Sequence, residues 1–126
     1  MNSFEKPVVD VPFEGNPPTE LVINDLIVGD GAECESGQII SVDYVGFSWS
    51  TGVEFDSSWS RNEVFAFHLG GGQVISGWDD GCKGMRVGGR RKLTIPPAMG
   101  YGSQGAGGVI APDETLVFVV DLRSIG

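Results

Sequence analysis

The chain is poor in the groups that make and break bonds. Its 126 residues include one histidine and two cysteines. Nucleophilic catalysis needs an activated nucleophile beside a base. His68 sits between Phe67 and Leu69 in an alternating run, where an outward-facing strand residue accounts for it. Cys34 and Cys82 have no close metal-ligand spacing and no second pair, so two reduced thiols are expected rather than a metal site or a disulfide. The adjacent acids Asp79-Asp80 and Asp113-Glu114 read as solvated, turn or cap residues. No metal and no cofactor is expected. Positive charge is scarce too: 8 basic residues face 17 acidic ones, a net charge of −9. That balance argues against nucleic acid as a partner, since such binding rests on cations facing phosphates. The basic cluster Arg86, Arg90, Arg91 and Lys92 falls on a strand pattern and is expected to be a solvated face. No apolar run is long enough to span a bilayer, so no membrane partner is expected. Glu5, Pro7 and Asp10 stand where a secretory signal would be apolar, and a cytoplasmic location is expected.

What is plentiful is glycine, at 20 residues, which implies many turns and many short elements. Residues 1–18 read as an arm. Pro7, Pro12, Pro17 and Pro18 prevent a helix, while Val8, Val9, Val11 and Phe13 could let part of it lie as an edge strand or pack on the sheet. Residues 19–126 read as one domain, long enough to bury a core. Strand patterns cover 20–28, 39–50, a return through Val53 and Phe55 after Thr51-Gly52, 64–69, 90–95 and 115–125. The last has apolar residues on both faces and is expected at the centre of the sheet. Only 74–82 reads as a helix, with Ile75, Trp78 and Cys82 on one stripe; Gly77 and Gly81 would weaken it unless packing holds it. The glycine-rich loop 98–112 is of a length that is often functional. The fold class is therefore α+β, with a curved antiparallel sheet of five or six strands around one short helix.

The aromatics are the remaining signal. Tyr44, Phe55, Phe65, Trp78, Tyr101 and Phe118 come from six segments. Core packing suffices for each one singly, and for Phe47 and Phe67. As a set, the six could line an apolar cavity in which Asp56 and Tyr101 orient a ligand. The runs GGG at 70–72 and GAGG at 105–108 lack the lysine and the strand-turn-helix context of a phosphate loop.

From about Thr19 onward the chain resembles the FK506-binding protein family, the FKBP-type peptidyl-prolyl isomerases. The resemblance is carried by FDSS at 55–58, Arg61-Asn62, Val74-Ile75 with Gly77-Trp78, GMRVGGRRKLTIPP at 84–97, Tyr101-Gly102 and TLVFVVDL at 115–122. It implies a small single-domain member with a half-barrel sheet. It further implies an enzyme that accelerates rotation about X–Pro bonds in folding proteins without a covalent step. Trp78 would form the floor under the proline ring. Tyr44, Phe55 and Phe118 would form the walls, and Phe65, Gln73, Val74 and Ile75 the rim. The Ile75 N–H and the Tyr101 hydroxyl would bind carbonyls of the substrate. Asp56, steadied by Tyr44 and Arg61, would orient a polar group, and Val109 and Ile110 would cover the site. Expected partners are proline-containing polypeptides and macrolides such as tacrolimus and rapamycin, with the protein a monomer. The alternative is a prolyl-peptide binding or chaperone module with little turnover. The chain departs from the family pattern at Gln73, where glutamate is frequent, at Ala106-Gly107, where His-Pro is frequent, and at Ala111 before Pro112. These changes bear on sequence preference and affinity.

Overall fold

The computed structural model describes residues 6–9, 13 and 15–126. Its elements run β1 (Val22–Ile27), β2 (Ile39–Ser48), β3 (Glu54–Ser57), β4 (Phe65–His68), α1 (Ser76–Gly81), β5 (Arg90–Ile95) and β6 (Leu116–Ile125). The pairing is antiparallel throughout, in the order β1-β5-β6-β2-β3, with β4 also on β2. Among the described residues this is the expected α+β architecture, with six strands and β6 at the centre. No helix among the described residues is long and apolar enough to cross a membrane.

Period-two alternation divides β2 and β6 between two apolar layers. Ile40, Val42, Tyr44, Leu116, Phe118, Val120 and Leu122 point inward with Trp78, Leu93 and Ile95. Val45, Phe47 and Val119 point outward and form a second, smaller cluster. Strand β1, at the sheet edge, is mostly exposed, with Ile23 and Leu26 about half open to solvent.

The helix is shorter than its sequence stripe, covering 76–81 instead of 74–82. Its two glycines explain both its weakness and its place. A Cβ at Gly77 would lie 2.6 Å from Ile95 Cγ2, and one at Gly81 2.8 Å from Leu93 Cδ1. Glycine at these positions lets α1 press directly on β5, and that contact supplies the packing the isolated segment lacks. The loop 98–112 is not wholly irregular: single 3-10 turns occupy Pro97–Met99 and Gly102–Gln104.

Arg90 and Arg91 of the basic run correct the sequence reading, because they are not on a solvated face, whereas Arg86 is exposed. Arg90 makes a bidentate contact with Asp121, at 2.8 and 2.9 Å, in which both side chains are largely buried. Arg91 donates to Asp25 at 2.6 Å and to the carbonyls of Gly81 and Lys83, at the C-terminal end of α1. A cation there satisfies carbonyls that the helix leaves unpaired. Arg86 donates to the Gly31 carbonyl, and the Lys92 ammonium lies 5.8 Å from the Phe13 ring centre.

None of the described arm residues is in a strand. Val9 and Phe13 pack on the outer cluster, Phe13 stacks on Trp49 at 5.1 Å, and Lys6 pairs with Glu54 of β3 at 3.0 Å. Val8 is exposed, and Val11 lies outside the described residues. Cys34 and Cys82 are free thiols, both fully buried, with the Cys34 thiol donating to the Cys82 carbonyl. Burial raises both thiols above the ordinary value, Cys82 most, so neither is poised as a nucleophile.

Candidate functional site

The inward faces of β2, β3, β4 and β6 meet α1 around an aromatic pocket of about 240 Å³. Trp78 is its hub. The indole stands edge-on to Tyr44 at 5.0 Å, to Phe118 at 5.2 Å and to Phe65 at 6.0 Å. Phe67 lies behind it at 5.6 Å and belongs to the core. Phe55 meets Phe118 edge-to-face at 5.5 Å. Such perpendicular contacts set positive ring edges against negative faces and leave the rings little freedom to rotate.

The backbone makes room for this packing at one point. Gly46 of β2 lies under the contact between Phe55 and Phe118; a Cβ there would come within 2.6 Å of the Phe118 ring and 2.8 Å of the Phe55 ring. Its place in the alternation, two residues after Tyr44, puts Gly46 on the inward face without saying why it is glycine. The reason is a contact between segments 63 residues apart, β3 and β6.

Polar groups stand on one side of the pocket. Asp56 of β3 accepts the Tyr44 hydroxyl proton at 2.6 Å, the Arg61 guanidinium at 2.7 Å and its neighbour's N–H, that of Ser57, at 2.8 Å. Arg61 also donates to the Tyr44 hydroxyl at 2.9 Å. Burial acts to raise the Asp56 carboxyl, but these donors outweigh it and hold the group below the usual carboxylate range. Tyr44 is raised by burial and by its bond to Asp56. Tyr101 is raised by burial and by the nearby Asp56 charge. Arg61 is raised by its bonds to Asp56 and Tyr44. At neutral pH the result is a fixed carboxylate with two phenols that remain protonated and able to donate.

Ten of the thirteen residues singled out in the sequence line this pocket: Tyr44, Phe55, Asp56, Phe65, Gln73, Val74, Ile75, Trp78, Tyr101 and Phe118. Arg61 stands beside it, bound to Asp56 and Tyr44. The structure does not bring Val109 and Ile110 over it. They line an adjoining cleft with Ser48, Val53 and Glu114, and Phe55 borders both cavities. Ile110 is turned into the core while Val109 is exposed. The loop tip is a tight turn at 106–110, closed by two hydrogen bonds between Ala106 and Ile110, which sets Ile110 inward and Val109 outward. Three polar residues escaped the sequence reading. Ser58 accepts the Tyr44 N–H and donates to Asp43. Glu114, read as a solvated or cap residue, is buried and accepts both the N–H and the hydroxyl of Ser50. Asp79 accepts two N–H groups of the 70–72 turn. Each bond joins one element to another, so the pattern within a single strand or helix does not signal it.

A family model described as FKBP-type peptidyl-prolyl cis-trans isomerase matches residues 31–123. An FK506-binding protein of Streptomyces anulatus is 56% identical over 98% of this chain and 99% of its own. A probable FK506-binding protein of Corynebacterium glutamicum is 50% identical over 96% and 99%. Among solved structures, AtFKBP13 superposes with a TM-score of 0.79 at 37% identity, covering 87% of this chain and 96% of that one. FkpA from Escherichia coli gives 0.76 at 40% identity, covering 83% and 47%.

Proposed function

The chain belongs to the FKBP-type peptidyl-prolyl cis-trans isomerases and is an enzyme of that class, and from that premise we propose that the Trp78 pocket is where rotation about an X–Pro bond is accelerated. The observation that carries this reading is the composition of the pocket. It has aromatic walls, one anchored carboxylate and phenol donors, with no histidine, cysteine or serine among the described residues that line it. Rotation about a peptide bond faces a barrier of ~18–20 kcal/mol that comes from amide resonance, and it needs no covalent partner. The planar amide is charge-separated, and a water-poor aromatic site disfavours it more than the twisted transition state, in which resonance is broken. Only interactions stronger in that twisted state raise the rate.

The residues take their roles accordingly. Trp78 is the floor on which the proline ring rests. Tyr44, Phe55 and Phe118 are walls, and Phe65 an outer rim ring. The Ile75 N–H and the Tyr101 hydroxyl are donors for substrate carbonyls. Asp56, fixed by Tyr44 and Arg61, holds a dipole at the pocket edge. The same apolar depth suits the ring of a macrolide of the tacrolimus or rapamycin type, the ligand class named for several relatives. The test is a protease-coupled assay with peptides that vary the residue before proline, run with and without tacrolimus. Turnover that tacrolimus blocks at micromolar concentration is expected. Binding without turnover would favour the prolyl-binding module instead, and a folded protein with neither property overturns the reading.

A further inference from the structure

We propose that Asp79 is a positioning residue: its carboxylate clamps the glycine turn 70–72 and so holds the pocket rim, Gln73 to Ile75, over the Trp78 floor. The proposal rests on the reading of the pocket given above. Asp79 directly follows Trp78 on α1, so one short helix carries both the floor and the clamp. One carboxylate oxygen accepts the Gly70 N–H at 2.8 Å and the other accepts the Gly72 N–H at 3.1 Å. Its own N–H donates to the Ile75 carbonyl at 3.3 Å. Asp79 therefore grips both ends of the stretch 70–75, which carries the rim.

This is not a helix cap. The residue before α1 is Ile75, whose side chain makes no capping bond, and Asp79 lies inside the helix. Its oxygens bind a turn upstream, not the free N–H groups of its own helix. Nor does the turn have another side chain to anchor it, because it consists of three glycines. Gly70 and Gly72 adopt φ of +80° and +73°, a region that other residues seldom enter. A turn without side chains holds its place through its backbone amides. Asp79 binds two of the three, and the Gly71 N–H goes to the His68 carbonyl. Gln73 adds a lighter brace, since its side-chain oxygen accepts the His68 N–H at 3.0 Å. A carboxylate suits the task because it offers an acceptor to each N–H. An amide in its place would turn one donor against another donor.

If the rim is competent for only part of the time, apparent affinity falls by that fraction while the bound complex reacts as before. Asp79→Ala is expected to raise KM for a prolyl peptide about fivefold, as for a rim competent about one-fifth of the time, with kcat within about twofold. Asp79→Asn, which keeps size and one acceptor, should fall between. Asp80→Asn, on the exposed neighbour, controls for charge and should change nothing. A residue that merely stabilised the fold would lower the active fraction, and so apparent kcat, with KM unmoved. Amide exchange gives a readout independent of activity: the Gly70 and Gly72 amides should exchange faster in Asp79→Ala, with those of β6 unchanged. An active wild type combined with a folded Asp79→Ala of unaltered KM overturns the clamp. If the alanine variant does not fold, the same criterion applies to Asp79→Asn. An inactive wild type instead overturns the reading of the pocket.

Discussion

The two faces of the sheet are built from the same strands yet end differently. The inward residues of β2 and β6 meet a helix and aromatic rings, and an open pocket remains between them. The outward residues Val45, Phe47 and Val119 are covered by the chain's own Val9, Phe13 and Trp59. Charge follows the same division. The pocket carboxylate Asp56 keeps several donors and partial access to water, whereas Asp121, on the outward side of β6, is almost wholly buried against Arg90. An apolar face that the protein can cover itself becomes structure. The face left open, with oriented donors at its edge, is available for a ligand.

Substitutions should separate the two faces. The largest effect is expected at Trp78, which serves both core and pocket. Trp78→Ala should cost ~3–5 kcal/mol in urea unfolding, and isomerisation should drop to near background in the protein that remains folded. Unchanged catalysis in that fraction would remove the indole from the mechanism. Gly46→Ala comes next. The added methyl must displace the Phe118 or Phe55 ring, costing ~1–3 kcal/mol and lowering kcat/KM, because the pocket wall moves with it. On the outer face, Phe13→Ala should lower stability by about 1 kcal/mol through lost stacking on Trp49, with kcat/KM within about twofold. A large loss of activity there would show that the faces are coupled.

The smallest effect concerns pH, where the two carboxylates have opposite signs. Asp56 is lowered on folding, so its stabilisation is complete above the ordinary unfolded value and is lost as pH falls through the lower folded one. For Asp121, burial outweighs Arg90 and raises the carboxyl. Its contribution is present below the unfolded value and is lost as pH rises through the raised folded one. Carboxyl carbon shifts followed by NMR on acidification should show Asp121 taking its proton before Asp56. Since Asp56, Tyr44 and Tyr101 all move away from neutrality, the rate should be flat between about pH 6 and 8. A bell-shaped profile in that range would point to a proton-transfer group that the pocket lining does not contain.

Much of the molecule was legible along the chain. The alternation in 39–48 and 116–125 separates inward from outward residues, and the inward set includes Tyr44 and Phe118. The Trp78 stripe marks the one helix, and its two glycines already indicate that packing must hold it. The charged residues were less legible. Arg91 reads as one more cation in a basic run, yet it is buried on Asp25, 66 residues away, and on the end of α1. Glu114 and Asp79 read as solvated acids, yet each fixes the backbone of another segment. Resemblance assigns Val109 and Ile110 to the pocket; the glycines at 105, 107 and 108 mark the turn that carries them, but not the cleft it lines.

By itself, then, the sequence determined the strands, their faces and the aromatic residues that the pocket uses. These follow from periodicity, which acts between near neighbours and leaves a repeating trace. The tertiary structure decided which acid meets which cation or amide, why position 46 must be glycine, and which cleft the tip of the long loop lines. Those outcomes depend on distances between segments far apart in the chain. Such distances exist only once the sheet has curled around its helix.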